Sequence, residues 1–124
     1  MKIYLAGPMR GYPNFNFPAF DYAATLLRKE GHEVFSPAER DRSVHGMKLE
    51  DNPTGDEKLA TDNVGFSLRK ALAADTAYIS NHATAIALLP FWEKSSGARA
   101  EHALALCLGH TVIILGNDYV VHPV

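Results

Sequence analysis

The chain predicts an α/β fold: a three-layer sandwich, Rossmann-like or flavodoxin-like, around a mostly parallel sheet of four to five strands. Three observations lead there. Short apolar runs alternate with helical patterns in the order β-α-β-(loop)-α-β-α-β, the way parallel strands joined by crossover helices are written. The runs, such as Thr84-Ala85-Ile86-Ala87-Leu88-Leu89, are apolar nearly throughout, as strands covered on both faces are. One of them passes through a turn of small residues, Ser95-Ser96-Gly97, into a strongly helical stretch. That is the geometry in which open α/β sheets bind ligands at their carboxyl edge.

Lys2 to Ala6 is a β-prone first strand ended by Gly7-Pro8, and the loop from Gly7 to Asn14 carries Gly7, Arg10 and Gly11. A helix follows from about Phe17, with Asn16 as cap, Pro18 in its first turn and Gly31 closing it. Gly-Pro-Met-Arg-Gly lacks the G-x-G-x-x-G spacing of a dinucleotide fingerprint. His32 to Ser36 reads as a second strand, stopped by Pro37. From Ala38 to about Ala60 the chain is polar without a sustained period, which predicts a long loop: either a functional lid or a solvated excursion with no role. His45 within it reads as a surface histidine. A second helix, from about Asp62 to Ser80, sets Leu68, Leu72 and Ile79 along one face with Asp75 on or beside it. An aspartate turned toward a core needs a partner or a purpose, unless it caps or pairs locally. Thr84 to Leu89 is the third strand, Gly97 to Leu108 the third helix, and Thr111 to Leu115 the fourth strand; the short tail after Gly116 is available to pair with a neighbour.

A length of 124 residues corresponds to one domain, 1–124. With 47% hydrophobic and 21% charged residues the composition is that of a soluble globular protein. A net charge of −2 gives no electrostatic case for long nucleic acid. No apolar run approaches membrane-spanning length and the first residues are too few for a signal sequence, so a cytoplasmic protein is expected. Cys107, in an apolar helical stretch, is expected to be a buried reduced thiol. The histidines at 32, 45, 82, 102, 110 and 122 form no i, i+4 pair and have no cysteine partner, so a dedicated zinc site is not expected, and the glycosidic chemistry considered below requires neither a metal nor an organic cofactor. A G-x-S-x-G elbow and a Walker A loop are both absent from the sequence.

Two carboxylates remain. Glu101 is expected in the first turn of the third helix, where free N–H groups would keep it ionised and available as a nucleophile. Gly97, Ala98 and Ala105, at i−4, i−3 and i+4, would leave room beside it; alternatively Glu101 only complements the helix dipole. Asp75 and Glu101, beside small anion-binding loops at Gly7 to Gly11 and Ser95 to Ala98, suggest glycosidic chemistry on a phosphorylated sugar.

At these residues the sequence resembles the nucleoside 2-deoxyribosyltransferase superfamily, above all its deoxynucleoside 5′-monophosphate N-glycosidase branch and the small, often phage-encoded members. Their pattern is a first strand ending Tyr-Leu-Ala-Gly-Pro-Met-Arg-Gly and a later Leu-Pro-Gly-Trp-Glu-x-Ser-x-Gly-Ala-x-x-Glu, here Tyr4 to Gly11 and Leu89 to Glu101. The resemblance implies Glu101 as the nucleophile on the anomeric carbon and Asp75 as the acid that positions the sugar or protonates the departing base. It also implies Tyr4 as a hydroxyl near the nucleophile, although a strand tyrosine packed in the core is the alternative. Ser95 with Ser96, Gly97 and Ala98, and Gly7 with Arg10 and Gly11, are implied as the substrate and phosphate loops.

Phe15, Phe35 and Trp92 are candidates for stacking on the base, with core packing the alternative for Phe35. Phe91 stands where the pattern has glycine, so it either narrows the pocket or shifts the loop. Arg99 replaces a small residue and faces phosphate, a subunit neighbour or solvent. The implied activity is hydrolysis of a (deoxy)nucleoside monophosphate, with base exchange or simple nucleotide binding as alternatives. The implied partners are a small-molecule nucleotide and a second copy in a homodimer.

Overall fold

The computed structural model describes residues 1–45, 68–116 and 121–122. Among them, β1 (Lys2–Ala6), β2 (Glu33–Phe35), β3 (Ala85–Leu88), β4 (Thr111–Leu115) and β5 (Val121–His122) form one sheet in the order β2-β1-β3-β4-β5. The first four are parallel, and β5 returns antiparallel along β4 through Ile114↔His122 and Leu115↔Val121. The tail therefore pairs as the sequence suggests. The helices are α1 (Phe17–Lys29), α2 (Pro37–His45), α3 (Leu68–Asn81) and α4 (Ser96–Cys107). The order is the flavodoxin-like variant of the doubly wound sheet, and the expected three-layer α/β fold is the one observed.

Both faces of β1 are covered, which is why its sequence shows no alternation. Ile3 and Leu5 pack with Phe17, Phe20, Ala24 and Leu27 of α1; Tyr4 and Ala6 pack with Ile79 of α3 and Ala98 and Ala105 of α4. From β1 the chain crosses toward β2, and from β3 toward β4, so the connections diverge between adjacent β1 and β3. Such a divergence opens a crevice at the carboxyl ends of the two strands. Gly7 sits at its edge, where a Cβ would lie 2.7 Å from the Leu89 Cβ. No side chain fits there, and Leu89 N–H continues the ladder to the Ala6 carbonyl at 2.8 Å.

The loop after β1 turns through three successive left-handed residues, Asn14, Phe15 and Asn16, with φ of 54°, 53° and 60°. Asn16 precedes α1 as expected but does not cap it; its Nδ2 donates instead to the Pro8 carbonyl at 2.9 Å, tying the loop to its own start.

The stretch expected to be a loop from Ala38 to Ala60 begins as a helix. Pro37 opens α2 and Glu39 lies in its first turn, both favourable start signals. What hid this helix is its lack of an apolar stripe: Ala38 reaches the core while Arg40 and Asp41 turn inward. Residues 46–60 of that stretch, and 62–67 of the expected second helix, lie outside the described residues. Cys107, expected buried, is exposed. The buried face of α4 is Ala98, Glu101 and Ala105, and position 107 falls off it. No helix among the described residues is long and apolar enough to cross a membrane.

Candidate functional site

The crevice is a cleft of about 550 Å³ counting its open mouth. Tyr4 and Gly7 line its base, Ser95, Gly97, Ala98 and Glu101 its α4 wall, and Pro37, Arg40 and Asp41 its α2 wall. Leu68, Ala71 and Leu72 of α3, with Met9 and Phe15 from the β1 loop, supply apolar surface.

Tyr4 Oη donates to Glu101 Oε2 at 2.7 Å. The tyrosine is fully buried, its ring stacked on Phe35 at 5.7 Å, which in turn stacks on Tyr78 at 4.6 Å. Both readings of Tyr4 hold at once: the ring belongs to the core and the hydroxyl to the cleft. Burial and the neighbouring Glu101 and Asp75 charges push its pKa well up, so it stays a proton donor.

Glu101 is not held ionised by the helix terminus. With α4 starting at Ser96, the glutamate is in the second turn, beyond the free N–H groups whose influence fades within the first. Burial instead pushes its pKa up to about 8, opposed by the Tyr4 hydrogen bond and the Arg40 charge and reinforced by Asp75. Asp75 is likewise buried and raised to about 6, burial outweighing Arg40 and Tyr4.

Its partner is a residue the sequence did not single out. Arg40 Nη2 lies 3.3 Å from Asp75 Oδ1 and 2.6 Å from Asp41 Oδ1, and Nη1 donates to the Ala71 carbonyl at 3.2 Å. Among the described residues neither carboxylate oxygen has a hydrogen bond of good geometry, and Arg40 Nε is buried without an acceptor. Burial raises Asp41 to about 7, against the pull of Arg40 and with a further push from Asp75. Glu101, Asp75, Arg40 and Asp41 thus gather three acids around one guanidinium. Their affinity for protons is a property of the group. Among the described residues no set of three or more His, Cys, Asp or Glu side chains is arranged to hold a metal ion.

At the other end, Arg10 Nη2 donates to Ser96 Oγ at 3.0 Å, and Ser95 Oγ caps α4 by accepting from Ala98 N–H at 3.2 Å. Met9, Arg10 and Ser95 line both the cleft and an adjoining recess completed by Pro8, Tyr12, Lys94 and Ser96. A carboxyl cluster and a cationic rim therefore share one opening.

Of the residues picked out by sequence, Tyr4, Asp75 and Glu101 meet, and Gly7, Arg10, Ser95, Ser96, Gly97 and Ala98 surround them. Gly11 does not line the cleft; it is exposed, and its φ of 80° serves the turn. Trp92 is also away from it, packed on the His102 ring at 4.6 Å because a one-turn helix at Trp92–Lys94 faces it toward α4. Phe91 neither narrows the pocket nor lines it: the ring is exposed, with Lys94 Nζ 5.2 Å from its centroid. Arg99 is exposed, and Ala105 lies in the core rather than beside the Glu101 carboxylate. Phe15 does line the cleft, whereas Phe35 packs between Tyr4 and Tyr78. Arg40 and Asp41 were findable only through the Pro37 and Glu39 start signal, which would have put them on a helix beside the second strand.

A family model described as a domain of unknown function, DUF4406, matches residues 1–114. The chain belongs to the DUF4406 family. The matched span holds β1 to β3, β4 up to its penultimate residue and every described residue of the cleft. Of the described sheet, Leu115 and β5 of the DUF4406 chain fall beyond it. No curated protein matches this sequence.

Proposed function

We propose that this DUF4406 chain hydrolyses the N-glycosidic bond of a (deoxy)nucleoside 5′-monophosphate, releasing free base and (deoxy)ribose 5-phosphate through a covalent glycosyl intermediate on Glu101. The observation that carries the reading is the buried Tyr4 to Glu101 hydrogen bond of 2.7 Å in a cleft lined also by Arg10 and Ser95, with the buried Asp75 charge acting on both members of the pair. The resemblance to the N-glycosidase branch of the deoxyribosyltransferase superfamily belongs to the same proposal.

Cleaving a glycosidic bond builds positive charge on the anomeric carbon, and an adjacent carboxylate stabilises that charge before closing on it. A buried Glu101 suits this step because the developing cation supplies a counter-charge closer than Arg40, whose pull does not offset the cost of burial. The interaction is therefore stronger in the transition state than in the ground state. Tyr4 holds the carboxylate in place, and Arg10, Ser95 and the first N–H groups of α4 offer the donors a phosphate requires. Activity should peak near neutrality, falling in acid as Glu101 takes up a proton and in alkali as the neighbouring acids Asp75 and Asp41 give up theirs.

The test is a panel of nucleoside and deoxynucleoside monophosphates, modified bases included, incubated with wild type and Glu101→Gln and analysed for free base. Release by wild type, with a loss of about 10³-fold or more in the variant, is expected. No release from any nucleotide overturns the reading. Base exchange without hydrolysis would make the chain a transferase, and tight binding without product would make it a nucleotide-binding module.

A further inference from the structure

We propose that Asp41, on α2, is the group that hands a proton to the departing base; this inference rests on the hydrolysis proposed above. With the anomeric carbon against Glu101 on α4 and the phosphate at Arg10 and Ser95, the base is directed toward the remaining wall. That wall presents Asp41 and Arg40 among the apolar surfaces of Phe15, Leu68 and Leu72. Asp41 is only 3% exposed yet lines the cleft, and among the described residues its Oδ1 makes an ion pair with Arg40 but no well-aligned hydrogen bond. Burial raises it to about 7, so it carries a proton through part of the neutral range. Arg40, 2.6 Å away, is positioned to balance the charge left when that proton departs. Asp75 interacts with Tyr4 and Glu101, which places it on the nucleophile's side of Arg40.

The steps balance. A Glu101 oxygen forms a bond to the anomeric carbon while the carbon–nitrogen bond breaks; its electron pair goes to the base, which takes the Asp41 proton and leaves neutral. Water then bonds to the anomeric carbon, the ester to Glu101 breaks, and the water's proton returns to Asp41. Both side chains end as they began.

The experiment compares two substrates: the nucleotide that wild type cleaves fastest, and deoxyribose 5-phosphate bearing 4-nitrophenolate, which leaves as an anion without a proton. Asp41→Asn should lower the first-turnover release of base from the nucleotide about 10²- to 10⁴-fold while changing the first-turnover burst of nitrophenolate by less than about tenfold. Asp41→Ser should behave alike and regain nucleotide turnover when imidazole, whose conjugate acid carries a proton near neutrality, is added. The comparison is read on whichever variant keeps the wild-type circular dichroism. Equal losses on both substrates would overturn the assignment by making Asp41 structural. A leaving-group dependence found in Asp75→Asn but not at position 41 would overturn it by moving the proton to Asp75. Wild type inert on both substrates would instead be the failure of the hydrolysis reading itself.

Discussion

On the outer side of α2, Arg42 meets Asp21 of α1 through two hydrogen bonds of 2.7 Å, and Glu39 meets Arg28 through two of 2.6 Å. On the inner side, Arg40 touches Asp41 and Asp75 with no well-aligned hydrogen bond to either, its Nε unsatisfied. The outer pairs are bidentate and partly exposed, the arrangement that fixes a polar helix against its neighbour at about 0.2–1 kcal/mol per pair. The inner cluster is buried and incompletely paired, which disfavours the folded state and persists only because the surrounding sheet and helices hold it. One nine-residue helix thus separates two jobs. Charges that secure the fold are well paired and face α1; charges available for chemistry are poorly paired and face the cleft.

Tyr4→Phe strikes the inner side hardest. It removes the hydrogen bond to Glu101, so turnover on the nucleotide should fall by about 10²-fold, with the acid limb of the pH profile displaced upward as Glu101 becomes still harder to ionise. Stability should fall by about 1–3 kcal/mol, because the glutamate oxygen loses its buried donor. Denaturant melts and kcat/KM against pH check both; an unmoved acid limb would mean that the tyrosine is packing alone. Gly7→Ala tests the frame between β1 and β3. Its methyl group would lie 2.7 Å from Leu89 Cβ, and overpacking of this kind should lower stability by about 1–3 kcal/mol in urea melts.

The cluster also predicts the pH dependence of stability. Asp75, Asp41 and Glu101 are raised to about 6, 7 and 8 from ordinary values of 3.8, 3.8 and 4.5. The folded protein therefore binds these protons more tightly than the unfolded chain does. Their contribution is complete below about pH 4 and is lost as the pH rises through 6 to 8. Melting temperature should fall between pH 5 and pH 8.5 in wild type, and fall less in Glu101→Gln. Breaking the outer side should matter least: Glu39→Gln, which leaves the Arg28 bond to the Val34 carbonyl in place, should cost under about 1 kcal/mol and leave kcat/KM within error. A larger loss would show that the surface pair shapes the cleft after all.

Much of this was legible because burial on two sides leaves an unmistakable trace. β1 and β4 match their sequence runs residue for residue, since no polar side chain interrupts either β1 after Lys2 or β4 after Thr111. Asp75 stood out because it shares a helical face with Ile79, and Glu101 because small residues surround it. α2 did not stand out, since a helix whose inward residues are Arg40 and Asp41 has no hydrophobic period to detect. Glu101 was found for a partly wrong reason: a start at Ser96 moves it one turn along α4 and exchanges dipole stabilisation for desolvation. Trp92 misled because its place in the motif says nothing about which way a short helical turn aims the indole.

The left-handed run at Asn14, Phe15 and Asn16 has its own consequence for recognition. A bulky residue pays a steric penalty in that conformation, and here the phenyl ring is anchored among the α1 side chains while Asn16 grips Pro8. The segment carrying Arg10 is therefore clamped at both ends. If the loop holds phosphate as proposed, the ligand would meet a segment already ordered during folding, so little affinity is forfeited to freezing it on binding.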